Sequence, residues 1–148
     1  MTPMLSCHDL WKVFGATKAG FAALTDAERE TPGAMIAKGW VPAVRNASFD
    51  IARGEVFVIM GLSGSGKSTL VRCLSRLIEP THGSVTIDGQ DLLGANEHDL
   101  IALRRRLMGM VFQHFALLPN RSVLGNVSFP LQVHVMARAD RESRAQEM

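Results

Sequence analysis

Gly61, Gly66, Lys67 and Ser68 stand at the spacing G-x-x-x-x-G-K-[ST], within Gly61-Leu62-Ser63-Gly64-Ser65-Gly66-Lys67-Ser68-Thr69. That is the spacing of a phosphate-binding loop. A polyphosphate needs many donors converging on its oxygens. Glycines at 61, 64 and 66 let the backbone curl until its N–H groups face inward, and a helix starting near Lys67 adds the positive end of its dipole. In such a loop Lys67 reaches the β- and γ-phosphates, the Ser68 hydroxyl ligates Mg²⁺, and Thr69 donates to the α-phosphate. With about 7% glycine, a chance match in a chain this long arises on the order of once in a few hundred sequences. A nucleotide is therefore the expected ligand.

The surrounding pattern predicts what positions the loop. Val56 to Met60 is a short apolar run that suits a strand buried on both faces. Past the loop, Leu70, Leu74, Leu77 and Ile78 fall at helical spacing, and Pro80 stops the run. Leu5 to Phe14 reads as an imperfect strand ending at Gly15, and Val44, Ala47, Phe49 and Ile51 as another. Between them, residues 16–42 carry a capping-box spacing at Thr25 and Glu28, with breaks expected at Pro32-Gly33 and Gly39. This is read as a solvated helical insertion. Val85 and Ile87 lead to a tight turn at Asp88-Gly89, and Asn96 with Asp99 caps a helix whose apolar face is Leu100, Leu103 and Leu107.

Met108 to Phe112 reads as another apolar strand, ending at Gln113. Ligands bind just past the carboxyl ends of parallel strands, so Gln113 either faces a γ-phosphate or is an ordinary loop glutamine. Ser122 caps a helix through Val123 and Val127 that Pro130 interrupts, and residues 137–148 are charged and helix-permissive. The fold class is α/β.

Composition narrows the alternatives. The chain has 148 residues, 47% of them hydrophobic, enough for one domain core. A net charge of +2 gives no case for nucleic acid. No apolar run approaches the roughly 18 residues of a membrane-spanning helix, and the N-terminus does not read as a signal peptide. Cys7 and Cys73 lack ligand spacing and read as free buried thiols in a reducing compartment. Trp11 and Phe14 either fill core or offer a face to a flat base. Arg104 to Arg106 form a solvated helix face or an anion site.

Together these landmarks resemble the ATP-binding subunit of an ABC transporter. Gly61 to Leu70 is similar to that family's Walker A, and Gly83-Ser84-Val85-Thr86-Ile87-Asp88-Gly89 to the strand and turn after its first helix. Val111-Phe112-Gln113 through Leu117-Leu118-Pro119 resembles the Q-loop, and Val123-Leu124-Gly125-Asn126-Val127 the start of the helical subdomain. Within the family, Phe57 to Arg72 and Arg76-Leu77-Ile78-Glu79-Pro80-Thr81 resemble the glycine betaine, proline betaine and choline importers.

The resemblance implies an ABC ATPase core with N-terminal antiparallel β elements, incomplete at its C-terminus. In it, 1–148 is the first part of one ATP-binding domain. Its parts are the insertion at 16–42, the Walker A strand, loop and helix at 56–70, a strand and Q-loop at 108–119, and the start of the helical subdomain at 120–148. It implies ATP and Mg²⁺ as ligands, held by Phe14 stacking on adenine, by Gly61, Ser63, Gly64, Ser65, Gly66, Lys67, Ser68 and Thr69, and by Gln113, with Ser68 and Gln113 on the metal. Implied partners are a transmembrane permease, a second ATP-binding subunit and, indirectly, a solute-binding protein, at the cytoplasmic face of the membrane. No signature sequence, Walker B aspartate, catalytic glutamate or switch histidine occurs before Met148. Hydrolysis is thus expected only in a complete dimeric domain, with this stretch inactive alone. A non-catalytic nucleotide-binding module, or an importer of another solute such as an amino acid, stands as the alternative; a P-loop kinase fits the context of Gln113 less well.

Overall fold

The computed structural model describes residues 2–112, 117–133 and 136–147. The chain divides into two units, Met1–Leu100 and Ile101–Met148.

The first unit is built on one sheet, strand order β2-β1-β3-β4, with every pairing antiparallel. Strand β1 (Leu5–Phe14) lies in the middle, beside β2 (Val41–Ile51) and β3 (His82–Ile87). Strand β4 (Gln90–Asp91) folds back on β3 through Asp88 and Gly89, both at positive φ as a two-residue hairpin of the favoured twist requires. Leu5 to Phe14 form a strand as their alternation predicts; β4, only two residues long, is too short for any pattern to announce. The backbone of β1 kinks at Asp9, a non-glycine residue at φ 46, where the pairing with both neighbours slips register. Thr81 locks the chain to β1 just before β3: its N–H donates to Trp11 O at 2.8 Å, and its hydroxyl accepts from Val13 N at 3.0 Å.

Three short helices fill the stretch between β1 and β2: α1 (Lys18–Ala22), α2 (Asp26–Glu30) and α3 (Pro32–Ala37). Phe21 and Met35 turn inward with Leu24 to meet Trp11 and Val13 of β1, and this is a buried apolar cluster. The capping box at α2 is complete, since the Thr25 side chain accepts from Glu28 N and the Glu28 carboxylate accepts from Thr25 N at 2.9 Å. Those bonds from Thr25 hold the Glu28 carboxyl below the usual range, so the box is intact at neutral pH and weakens as pH falls through that lowered value. Thr25→Ala is expected to lower stability by about 1 kcal/mol, read as a shifted urea midpoint with unchanged slope. Pro32, expected as a break, instead opens α3, where its missing N–H is no loss.

Helix α4 (Lys67–Leu74) follows the phosphate loop and is shorter than its apolar spacing predicts. The Ser75 hydroxyl bonds back to Val71 O and Arg72 O, and Arg76 takes φ 51, so the helix ends well before Pro80. Cys73 on α4 and Cys7 on β1 are fully buried free thiols. Burial, with Cys73 nearby as a smaller cause, pushes the Cys7 thiol up to about 11. It therefore stays protonated and inert at neutral pH.

The buried strands expected at Val56 to Met60 and Met108 to Phe112 are not formed. Val56 and Met60 are 87% and 85% exposed and Val111 fully so. Apolar composition marks a segment that prefers a buried ladder, but a ladder needs neighbours on both sides, and among the described residues neither segment has one. Phe57 stacks on Phe49 at 4.7 Å between ring centroids.

The second unit is helical, and α5 (Glu97–Leu107) runs into it across the boundary. The Asn96 side chain accepts from Asp99 N at 3.0 Å, starting α5 where expected. Ser122 caps α6 (Val123–Val127) by accepting from Gly125 N, and Pro130 sits in the first turn of α7 (Phe129–Val133) rather than inside one long helix. Asn126 clamps the preceding turn, accepting from Leu118 N at 2.7 Å and donating to Leu118 O and Arg121 O. Helix α8 (Arg138–Gln146) follows.

Candidate functional site

Three local facts shape the phosphate loop. Gly64 and Gly66 take φ 79 and 89, the left-handed region that side chains resist. Ser65 N donates to Leu62 O at 3.2 Å, closing a turn within the loop. The Lys67 ammonium then lies across that turn, donating to Gly61 O at 2.7 Å and Leu62 O at 2.6 Å, with Ser65 Oγ at 3.5 Å. The loop thus spends carbonyls on its own lysine, which leaves N–H groups rather than carbonyls for an anion.

Helix α4 supplies those N–H groups. Gly66 is its N-cap and gives no side-chain cap, and the first helical bond runs from Leu70 N to Gly66 O at 2.8 Å. The amides of Lys67, Ser68 and Thr69 therefore have no helical acceptor. An anion set against them would gain both hydrogen bonds and the dipole. Ser68 is exposed, and among the described residues its hydroxyl makes no protein hydrogen bond, which suits a hydroxyl that ligates a metal on the same anion.

Strand β2 forms the facing wall. The loop residues Gly64 to Lys67 and β2 residues Val41 to Arg45 line an open cleft of about 540 Å³. The two sides come together at Gly66: a Cβ placed there would lie 2.0 Å from Ala43 O. The last glycine of the loop is thus required by its conformation and again by its contact. Phe14 is the strand partner of Val41, itself a wall residue, but does not itself line the cleft. Its ring is 41% exposed, and Lys12 Nζ lies 5.0 Å from its centroid. The ring is neither sunk in the core nor free on both faces.

Gln113 lies outside the described residues. Gly61, Ser63, Gly64, Ser65, Gly66, Lys67, Ser68 and Thr69 share one loop and helix start, and Phe14 joins them only through β1 and β2. Of the two residues expected on Mg²⁺ only Ser68 is described, and among the described residues no group of three or more His, Cys, Asp or Glu could hold a metal. Sequence reasoning missed the β2 wall. Ala43 contributes a backbone carbonyl and Arg45 a strand side chain, and neither stands at a spacing that signals chemistry.

A family model described as "ABC transporter" matches residues 44–148. Over 147 residues, 99% of this chain and 43% of the relative, the chain is 50% identical to the "Trimethylamine N-oxide transport system ATP-binding protein TmoW" of Ruegeria pomeroyi. It is 43% identical to the "Glycine betaine/carnitine transport ATP-binding protein GbuA" of Listeria monocytogenes, over 97% of this chain and 36% of that one. The chain thus spans roughly two-fifths of the length of such relatives. Among solved structures, the dimeric ATP-binding cassette MJ0796 bound to ADP and Pi superposes with a TM-score of 0.75 at 30% identity. That match covers 97% of this chain and 55% of the cassette.

Proposed function

The chain belongs to the ABC transporter family, and from that premise we propose that it is part of the ATP-binding subunit that energises an importer of small osmolytes of the betaine or trimethylamine N-oxide type. The observation that carries the nucleotide reading is the uncapped start of α4 beside Lys67 in the β2-walled cleft. The solute class rests on coverage. Relatives named for trimethylamine N-oxide or betaine transport match 92–99% of the chain, whereas the methionine import protein of Desulfitobacterium hafniense matches 75%.

In this reading the amides of Gly64 through Thr69 hold the phosphates, and the Lys67 ammonium leaves the loop carbonyls to meet the β- and γ-oxygens. Exchanging two neutral acceptors for an anion strengthens its hydrogen bonds. Ser68 would ligate Mg²⁺ together with Gln113, and Phe14 would stack on adenine. Bound Mg-ATP supplies the free energy of phosphoryl transfer. Hydrolysis belongs to a complete dimer of two ATP-binding subunits. Those subunits sit on a permease at the cytoplasmic face of the membrane, fed by a solute-binding protein. Among the described residues no helix is long and apolar enough to cross a membrane.

Uptake tests this. Deleting the gene from its host is expected to abolish import of labelled trimethylamine N-oxide or glycine betaine while methionine import continues. Loss of methionine import alone would move the proposal to the amino-acid class; unchanged uptake of all three would remove it.

A further inference from the structure

The cleft beside the phosphate loop is lined by two cations and no carboxylate: Lys67, and Arg45 of β2. Arg45 also lines a second hollow, of about 630 Å³, whose other wall includes Ile36 and Trp40 from the stretch between β1 and β2. Val41 and Pro42 border both hollows, so the two share one wall. Three other arginines of this unit find carboxylates, Arg29 on Asp26 at 3.8 Å, Arg53 on Asp88 at 2.7 Å and Arg76 on Glu79 at 2.8 Å, whereas Arg72 lines no part of the cleft. Arg45 instead donates to a neutral carbonyl, Glu30 O at 2.8 Å, at the end of α2, and among the described residues no carboxylate pairs with it.

A guanidinium cannot shed its charge and carries five donors in a planar fork that matches phosphate. Here one carbonyl holds it at the lip of a cleft whose other cation is the loop lysine. We infer that Arg45 is a phosphate-contacting residue of the nucleotide cleft, and that its bond to Glu30 lets the helices between β1 and β2 respond to nucleotide. This rests on the reading that the cleft takes a nucleoside triphosphate. The bond reaches the α2–α3 junction at Thr31, where α3 has no side-chain cap to hold it, and Trp40 stands beside the shared wall. Drawing the guanidinium toward phosphate therefore pulls on the end of α2 and on that junction.

The test titrates the intact polypeptide with ATP and with adenosine, using wild type, Arg45→Gln, Arg45→Lys and Lys67→Ala, and follows tryptophan fluorescence with Trp40→Phe to identify the signal. Arg45→Gln is expected to weaken ATP about tenfold and adenosine less than twofold, as loss of a charge-assisted contact to phosphate does. Arg45→Lys should cost ATP about threefold, because the charge stays while the fork is lost. The Trp40 change on adding ATP should vanish in Arg45→Gln. Equal losses for ATP and adenosine would make Arg45 merely structural and overturn the inference. So would an unchanged ATP affinity in Arg45→Gln while Lys67→Ala loses binding, which leaves the nucleotide reading intact. If wild type binds no ATP, both fall. Should Arg45→Gln fail to fold by circular dichroism, wild-type ATP affinity in Arg45→Lys overturns the inference.

Discussion

Gly66→Ala is expected to abolish nucleotide binding and to cost about 2–5 kcal/mol of stability. Two penalties add. At φ 89 an alanine sits in the left-handed region, worth roughly 1–2 kcal/mol. Its Cβ would also lie 2.0 Å from Ala43 O and 3.2 Å from Ala43 C, and overpacking of that kind costs about 1–3 kcal/mol. Relief by rotation is impossible, since the clashing atoms are backbone. Nor can β2 easily retreat, because it is paired along its length with β1, Lys12 opposite Val44 and Phe14 opposite Val41. The loop must move instead, and its movement takes the Lys67, Ser68 and Thr69 amides out of convergence. A urea titration beside an ATP titration measures both effects. Stability within 1 kcal/mol of wild type would mean that the loop does not rest on β2 at Ala43.

Gly83→Ala should be comparably destabilising for a different reason, and without touching the phosphate cleft. Gly83 takes φ 101, and a Cβ there would lie 2.3 Å from Asp9 O and 2.7 Å from both Asp9 C and Leu10 Cα. The kink of β1 at Asp9 thus presses its backbone into the space that a side chain at 83 would need. Since β1 is the central strand, the expected loss is about 4 kcal/mol, with ATP affinity of the folded fraction unchanged. Gly89 is the control: its φ is 74 but nothing lies within 4 Å of its Cβ position, so Gly89→Ala should cost only about 1 kcal/mol. If the two substitutions cost the same, steric contact with β1 is not what fixes Gly83.

What could be read in advance follows from where each signal lives. The phosphate loop, the capping box at Thr25 and the turn at Asp88-Gly89 are set by neighbouring residues, and their spacing carries them. The end of α4 is local too, but Ser75 back-bonding and the left-handed Arg76 override an apolar spacing that continues to Ile78. The runs Val56 to Met60 and Met108 to Phe112 display the preference for a buried ladder. Preference alone says nothing about whether paired neighbours are present, and among the described residues they are not. The β2 wall of the cleft was illegible for a third reason. Ala43 acts through a carbonyl whose importance arises only when Gly66 is brought against it, and Arg45 through a side chain whose isolation from carboxylates depends on the whole unit. Phe14 lies between these cases: its type allows either role, and its pairing with Val41 puts it one strand from the cleft wall.

Equilibrium titration of the intact polypeptide with Mg-ATP, alongside Lys67→Ala, bears most directly on the claim that the amides of Gly64 through Thr69 and the Lys67 ammonium form a polyphosphate site. The expected result is saturable binding to one site, weakened at least about tenfold in Lys67→Ala, as removal of a charged partner from phosphate predicts. Absence of saturation in a folded sample, or equal affinity in the two proteins, would contradict it.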